Sequence, residues 1–80
     1  MKFLYSRTSV KFLQTLQKDV VNKLIEAIEK LPFEGDRKKL KGRKVKNVFR
    51  LRIGKYRIIY SQQKDVIRII KIDTRGDVYK

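Results

Sequence analysis

Residues 48–60 decide the fold, and their sequence is VFRLRIGKYRIIY. Apolar Phe49, Leu51 and Ile53 alternate with their neighbours, which is the period-two pattern of a β-strand with one buried face. Residues 54–55 are glycine followed by lysine, the order that a type II′ hairpin turn favours. The stretch therefore predicts a β-hairpin whose strands are residues 48–53 and 56–60.

The register of this hairpin separates apolar from basic side chains. With residues 54–55 as the loop, Ile53 lies opposite Tyr56 and Arg52 lies opposite Arg57. One face then holds Phe49, Leu51, Ile53, Tyr56, Ile58 and Tyr60, and we expect the helices to cover it. The other face holds Arg50, Arg52 and Arg57 and stays open.

Like charges directly opposite each other destabilise a hairpin, so the pairing of Arg52 with Arg57 requires an explanation. Nearby carboxylates would neutralise the pair, and Asp73 and Asp77 are the candidates. A phosphate-binding clamp would use arginine for its bidentate contacts to oxyanions. An ordinary solvated face with screened charges is the alternative.

The elements before the hairpin are a strand and two helices. Residues 2–6 predict a short strand, and a short helix with an apolar face follows, capped by Thr8 or Ser9. A second helix starts near Asp19 and ends before Pro32 and Gly35. The first helical face holds Val10, Phe12, Leu13 and Leu16, and the second holds Val21, Leu24, Ile25, Ile28 and Leu31.

The remaining segments complete an α+β fold. Residues 33–46 predict a long polar connection, of the kind that is often functional. Residues 66–72 are apolar on both parities, which predicts a strand in the interior of the sheet after a turn at residues 62–65. The predicted order is strand, helix, helix and then a three-stranded antiparallel meander, with the helices packed on one face of a small, mostly antiparallel sheet.

Length and composition narrow the possible functions. The chain has 80 residues, which predicts a single domain over residues 1–80, and it carries 22 Lys and Arg against 8 Asp and Glu, a net charge of +14. It contains no cysteine or histidine, which excludes thiolate zinc sites, cysteine nucleophiles and serine–histidine triads. With no apolar run of membrane-spanning length and no signal peptide, we expect a soluble cytoplasmic protein.

The basic residues concentrate in one stretch. Residues 37–57 contain eleven lysines and arginines and no acid. Such a stretch favours binding to phosphates, with an affinity that depends strongly on salt, and nucleic acid is the favoured partner. A solvated face or a patch for an acidic protein is the alternative.

Three segments together resemble the RelE/ParE toxin superfamily: residues 40–42 (LKG), residues 49–60 (FRLRIGKYRIIY) and residues 72–80 (IDTRGDVYK). The resemblance covers nearly the whole chain. It implies a RelE-like fold and the toxin of a type II toxin–antitoxin pair, with a cognate antitoxin, the ribosome and mRNA as partners in a hetero-oligomer.

The resemblance also implies an activity and its residues. RelE-like members cleave mRNA in the ribosomal A site, and the arginines and tyrosine of that branch match Arg57, Arg75 and Tyr79. It gives these three a catalytic role. Residues implied or favoured by charge to bind RNA are Lys41, Arg43, Lys44, Lys46, Arg50, Arg52 and Lys71. At 73–74, Asp-Thr stands where many relatives carry Gly-His.

These residues suit RNA cleavage by attack of the 2′-hydroxyl, with no metal and no other cofactor. Arg57 and Arg75 would stabilise the phosphorane, and Tyr79 would stack on or orient a base. Arginine almost never loses its proton, so the 2′ proton passes to the ribosome, to water, or to a lysine such as Lys46 or Lys71. The alternatives are a ParE-like inhibitor of DNA gyrase and an inactive member that only binds RNA or antitoxin.

Overall fold

One five-stranded sheet and two helices form the fold in a computed structural model that describes residues 1–40 and 47–74. The elements are β1 (Lys2–Tyr5), α1 (Arg7–Leu13), α2 (Lys18–Glu29), β2 (Asp36–Lys39), β3 (Val48–Ile53), β4 (Tyr56–Gln63) and β5 (Val66–Thr74). The strand order is β1-β5-β4-β3-β2, with β1 parallel to β5 and the other pairs antiparallel. The predicted α+β class and element order are confirmed, with one strand added.

The added strand is β2, which lies inside the predicted polar connection. It pairs with β3, so that Asp36 lies opposite Arg52 and Lys38 opposite Arg50. All four of its side chains are exposed, so its sequence carries no alternation of apolar and polar residues. The prediction of an irregular connection was therefore wrong for residues 36–39, because backbone pairing with β3 decides the conformation there. Charged side chains also suit an edge strand, since they discourage pairing with another chain.

Both helices begin where local chemistry supports them. The α1 cap is Ser6, whose hydroxyl accepts a hydrogen bond from the Ser9 amide at 3.1 Å, so neither Thr8 nor Ser9 is the cap. Ser9 is buried, and its hydroxyl donates to the Ser6 carbonyl oxygen at 2.9 Å. In α2, Asp19 lies in the first turn as predicted, where a negative charge favours the helix dipole. None of the helices in the described ranges is long and apolar enough to cross a bilayer.

The core lies between the helices and one face of the sheet. Its buried hydrophobic cluster is Leu13, Leu24, Ile28, Leu31, Leu51, Ile58, Tyr60, Ile67, Ile69 and Ile72. The predicted apolar face of the hairpin contributes fully to this layer, because Phe49, Ile53 and Tyr56 pack against the cluster. The predicted hairpin register is confirmed pair by pair. The helices therefore cover one face of the hairpin, and its three arginines lie on the other.

A β-bulge explains the apolar character of β5. Ile70 is the extra residue between the pairs that Ile69 and Lys71 make with β4. It resets the alternation, so three isoleucines face the core: Ile67, Ile69 and Ile72. Ile70 itself is 42% exposed. β5 lies inside the sheet as predicted, but burial of both of its faces is not the reason that both parities are apolar.

Candidate nucleic-acid interface

The sheet face opposite the helices, here called the open face, collects most of the basic candidates. By strand register its side chains are Lys2, Leu4, Asp36, Lys38, Val48, Arg50, Arg52, Arg57, Ile59, Ser61, Gln63, Val66, Arg68, Lys71 and Asp73. Seven of these are Lys or Arg and two are Asp. A surface of this charge attracts polyanions, and its sheet backbone holds the cations at set spacings.

The two opposed arginines lie in the middle of one row that crosses four strands. Asp36 pairs with Arg52, Arg52 with Arg57, and Arg57 with Asp73. An acid therefore flanks the arginine pair at each end. This arrangement lowers the repulsion between Arg52 and Arg57 and keeps both guanidinium groups on the open face.

Arg57 is held by Asp73 in a bidentate contact. Its Nε donates to Asp73 Oδ1 at 3.1 Å, and its Nη2 donates to Asp73 Oδ2 at 3.0 Å. Lys71 Nζ lies 3.5 Å from the same Oδ2. Two parallel charge-assisted hydrogen bonds fix the plane of the guanidinium group as well as its position. Of the two predicted neutralisers, Asp73 has this role, and Asp77 lies outside the described residues.

Asp73 stays ionised at neutral pH. Partial burial opposes ionisation, but the hydrogen bonds and charge of Arg57, with the charge of Lys71, outweigh it and lower the pKa of the Asp73 carboxyl below 3.8. A carboxylate of lowered pKa is a weak base. Asp73 is thus suited to holding Arg57 and poorly suited to removing a proton.

Arg50 and Arg52 differ although they share a strand face. Arg52 is exposed, whereas Arg50 is half-buried between Lys38 and Ile59 of the neighbouring strands. The Nε atom of Arg50 is shielded from solvent and has no hydrogen-bond partner among the described residues. Arg52 is therefore the more accessible of the two to an incoming phosphate.

The structure brings together four of the predicted site residues: Arg50, Arg52, Arg57 and Lys71. Outside the described residues lie Lys41, Arg43, Lys44, Lys46, Arg75 and Tyr79. The sequence reasoning missed three cations of the open face, Lys2, Lys38 and Arg68. Arg68 alternates with two buried isoleucines, which was a usable signal, whereas Lys38 gave none because β2 was not predicted.

The described part of the open face offers charge and hydrogen bonding without a metal site. No three acidic residues within residues 1–40 and 47–74 come close enough together to hold a metal ion. The chemistry available from these residues is the binding and polarisation of oxyanions by guanidinium and ammonium groups.

Comparison with known proteins assigns the class. Residues 3–79 match the family described as the ParE toxin of type II toxin–antitoxin system, parDE. That match covers almost the entire chain and places it among the toxins of type II toxin–antitoxin systems. No curated protein sequence gives a match.

Solved structures agree with this class. The chain is similar to the archaeal RelE–RelB complex from Pyrococcus horikoshii OT3, with 32% identity, 95% of this chain and 96% of that chain covered, and a TM-score of 0.79. It is similar to the RelB–RelE antitoxin–toxin complex from Methanococcus jannaschii, with 28% identity, coverage of 95% and 94%, and a TM-score of 0.75. YafQ from E. coli strain BL21(DE3) shares the fold, with 18% identity, coverage of 99% and 98%, and a TM-score of 0.72. The protein belongs to the RelE/ParE toxin superfamily, on its RelE-like branch.

Proposed function

We propose that this toxin is a ribosome-dependent endoribonuclease that cleaves translated mRNA in the cytoplasm and so stops translation. The observation that carries the proposal is the open face, where Asp73 fixes the Arg57 guanidinium at 3.0 and 3.1 Å beside Arg52. A guanidinium that is already oriented stabilises developing charge without reorganising during the reaction.

The proposed reaction is transesterification without a metal. The 2′-oxygen of a nucleotide attacks the adjacent phosphorus, and the bond from phosphorus to the 5′-oxygen breaks, which leaves a 2′,3′-cyclic phosphate and a 5′-hydroxyl. Arg57 neutralises the phosphorane, and Arg52 binds a neighbouring phosphate. Arg75 and Tyr79 keep the roles that the family resemblance implies for them.

Proton transfer needs help from outside the arginines. The 2′-hydroxyl must lose a proton, and the 5′-oxygen must gain one. The Lys71 ammonium, which lies beside Asp73, is the proposed donor to the leaving oxygen. The acceptor of the 2′ proton is water, the ribosome or the neutral amine form of Lys46. Such an incomplete set fits an enzyme whose substrate is arranged by the ribosome.

The direct test is primer extension on a translated message after induction, with and without ribosomes. Wild type should produce new 5′ ends only on the message that ribosomes occupy.

Arg57→Ala should lower the cleavage rate by a factor of about 10²–10³. It should remain folded, because the side chain lies on the open face. Ile58→Ala should also lose cleavage activity and toxicity, but only through unfolding. Truncating a buried isoleucine lowers the free energy of unfolding by about 2–5 kcal/mol. Thermal melts separate these causes, and unchanged cleavage by Arg57→Ala would contradict the proposal.

A cognate antitoxin is the proposed protein partner. The similar archaeal RelE structures are complexes with RelB. A chain of net charge +14 attracts an acidic segment over a long range. Coexpression with the product of the neighbouring gene should give a copurifying hetero-oligomer that loosens as salt is raised. A toxin that stays free under these conditions contradicts the partnership.

Inhibition of DNA gyrase is the second candidate, because the matching family is described as ParE toxins. The two functions differ in their first effect after induction. Loss of methionine incorporation with normal DNA supercoiling supports the ribonuclease. Loss of DNA supercoiling while methionine incorporation stays normal supports the gyrase inhibitor.

A further inference from the structure

A second region of the open face differs in chemistry from the arginine row. An open cavity of about 610 Å³ lies at the end of β4 that is remote from the β3–β4 turn. Its lining is Asn47, Ser61, Gln63, Lys64, Val66 and Arg68. Its volume is within the range of small-molecule sites. Three of the six side chains are neutral hydrogen-bonding groups, whereas the arginine row is entirely charged.

Strand register connects this cavity to the arginine row. Ser61 and Gln63 lie on the same strand and the same face as Arg57, four and six residues further along. At about 3.3 Å per residue these offsets are roughly 13 and 20 Å. A single strand of RNA with a phosphate on Arg57 can therefore run along β4 and place a base a few nucleotides away in the cavity.

The polar groups around the cavity are available for a ligand. The side chains of Asn47, Ser61 and Gln63 form no hydrogen bond with another described residue. The backbone holds their positions: the Gln62 amide donates to the Asn47 carbonyl oxygen at 3.0 Å, Ser61 pairs with Arg68, and Gln63 pairs with Val66. Fixed backbone with unpartnered side-chain amides suits the recognition of base edges.

We propose that this cavity is a subsite for one unstacked purine of single-stranded RNA. The inference rests on the proposed function for the identity of the ligand. A side-chain amide has a donor next to an acceptor and matches N7 and the 6-amino group of adenine, and a guanidinium matches N7 and O6 of guanine. Gln63 and Arg68 thus read the two purines, and pyrimidines lack the N7 acceptor. Val66, a half-buried residue of the cavity lining, would contact the face of the base.

The sequence offers a matched control, since Gln62 and Gln63 are adjacent and face opposite sides of the sheet. Gln62 pairs with buried Ile67, so its side chain lies on the helix side, whereas Gln63 lines the cavity. Replacing either by methionine keeps the length of the side chain and removes its amide donor and acceptor. Only Gln63→Met removes a group from the proposed subsite.

The experiment measures the anisotropy of short labelled RNAs as purified toxin is added. One RNA is an oligoadenylate, one contains oligoguanylate and one is an oligouridylate. Wild type should bind the purine strands about fivefold or more tightly than the uridine strand, since one bidentate contact discriminates by at least that factor. Gln63→Met should lose the preference for adenine, Ser61→Ala should weaken it, and Gln62→Met should retain it. Thermal melts confirm that all variants are folded.

The outcomes separate this inference from the proposed function. Equal binding of purine and pyrimidine strands by wild type overturns the subsite, even if ribosome-dependent cleavage is found. An equal loss of the adenine preference in Gln62→Met and Gln63→Met also overturns it. Such a result would mean that any change at this end of β4 disturbs binding, whichever face the side chain lies on. A preference for adenine that Gln63→Met abolishes and Gln62→Met retains supports the subsite, even if primer extension finds no cleavage.

Discussion

The contact between Arg57 and Asp73 places a negative charge beside the arginine pair of a positively charged surface. Such a charge weakens the binding of RNA phosphates by repulsion. Its compensating effect is orientation, because both oxygens of Asp73 accept hydrogen bonds from one guanidinium. Affinity and catalytic rate should therefore respond in opposite directions when the carboxylate is removed.

Asp73→Asn tests this expectation. The variant should bind single-stranded RNA more tightly and cleave it roughly tenfold or more slowly, because a misplaced catalytic group loses rate steeply. Asp36→Asn is the matched control: it removes the same charge from the other end of the row but makes no ion pair with a described residue. It should tighten binding and leave the single-turnover rate unchanged. A normal rate in Asp73→Asn would contradict the positioning role.

The ion pair also makes stability depend on acidity. The pKa of the Asp73 carboxyl is lowered in the folded protein, so its contribution is complete above the ordinary value near 3.8 and is lost as pH falls through the folded value. Between about pH 5 and pH 2 the wild type should lose more unfolding free energy than Asp73→Asn, by about 0.2–1 kcal/mol for this partly exposed pair. Urea titrations at several pH values measure it, and parallel curves would contradict it.

Among the elements, β2 depends on a single glycine at its entry. Gly35 has φ of 117°, and a Cβ atom there would lie 2.7 Å from Leu51 Cδ1 in the core. Gly35→Ala should lower the free energy of unfolding by about 1–3 kcal/mol. Gly54→Ala is the comparison, since its φ is 56° and a Cβ atom there has no neighbour within 4 Å. It should cost about 1–2 kcal/mol from backbone strain alone.

Denaturant midpoints and m-values for the two glycine variants are the measurement. A larger loss of unfolding free energy in Gly54→Ala than in Gly35→Ala would contradict this expectation. It would show that Leu51 moves to make room for the added Cβ atom.

The bulge in β5 also positions site residues, because it keeps Lys71 and Asp73 on the open face beside Arg57.

At the scale of the whole molecule, charge is divided between two faces. The open face holds cations in rows on the sheet, whereas lysines on α2, such as Lys23, lie on the opposite side of the protein. Only cations that contact phosphates release counterions on binding. The salt dependence of RNA affinity therefore reports which face binds.

Arg52→Ala should reduce the slope of log affinity against log salt by about 0.7, the value for one phosphate contact on a single strand. Lys23→Ala removes the same charge from the helix side and should leave the slope unchanged. Titrations of one labelled RNA across a salt series measure both. Equal changes in the two variants would mean that net charge, and not the open face, controls binding.

The features that the sequence by itself determined are those encoded within a short window. The alternation in residues 48–60 and the glycine of the turn were sufficient for the hairpin register, and with it for the shared face of Arg50, Arg52 and Arg57. The spacing of apolar residues predicted α2 in the same way. Charge balance alone limited the acids that neutralise Arg52 and Arg57 to two candidates, one of which was Asp73.

Only the tertiary structure decided the features that depend on pairing between distant segments. β2 has exposed, charged side chains on every residue, so no hydrophobic pattern marks it, and its conformation comes from backbone hydrogen bonds to β3. The bulge at Ile70 and the bidentate contact of Asp73 with Arg57 likewise require β4 and β5 side by side. The cavity beside Gln63 exists because the fold places Asn47 next to residues 61–68. A window of sequence reports the local preference for burial, whereas backbone pairing across the sheet sets which polar side chains meet.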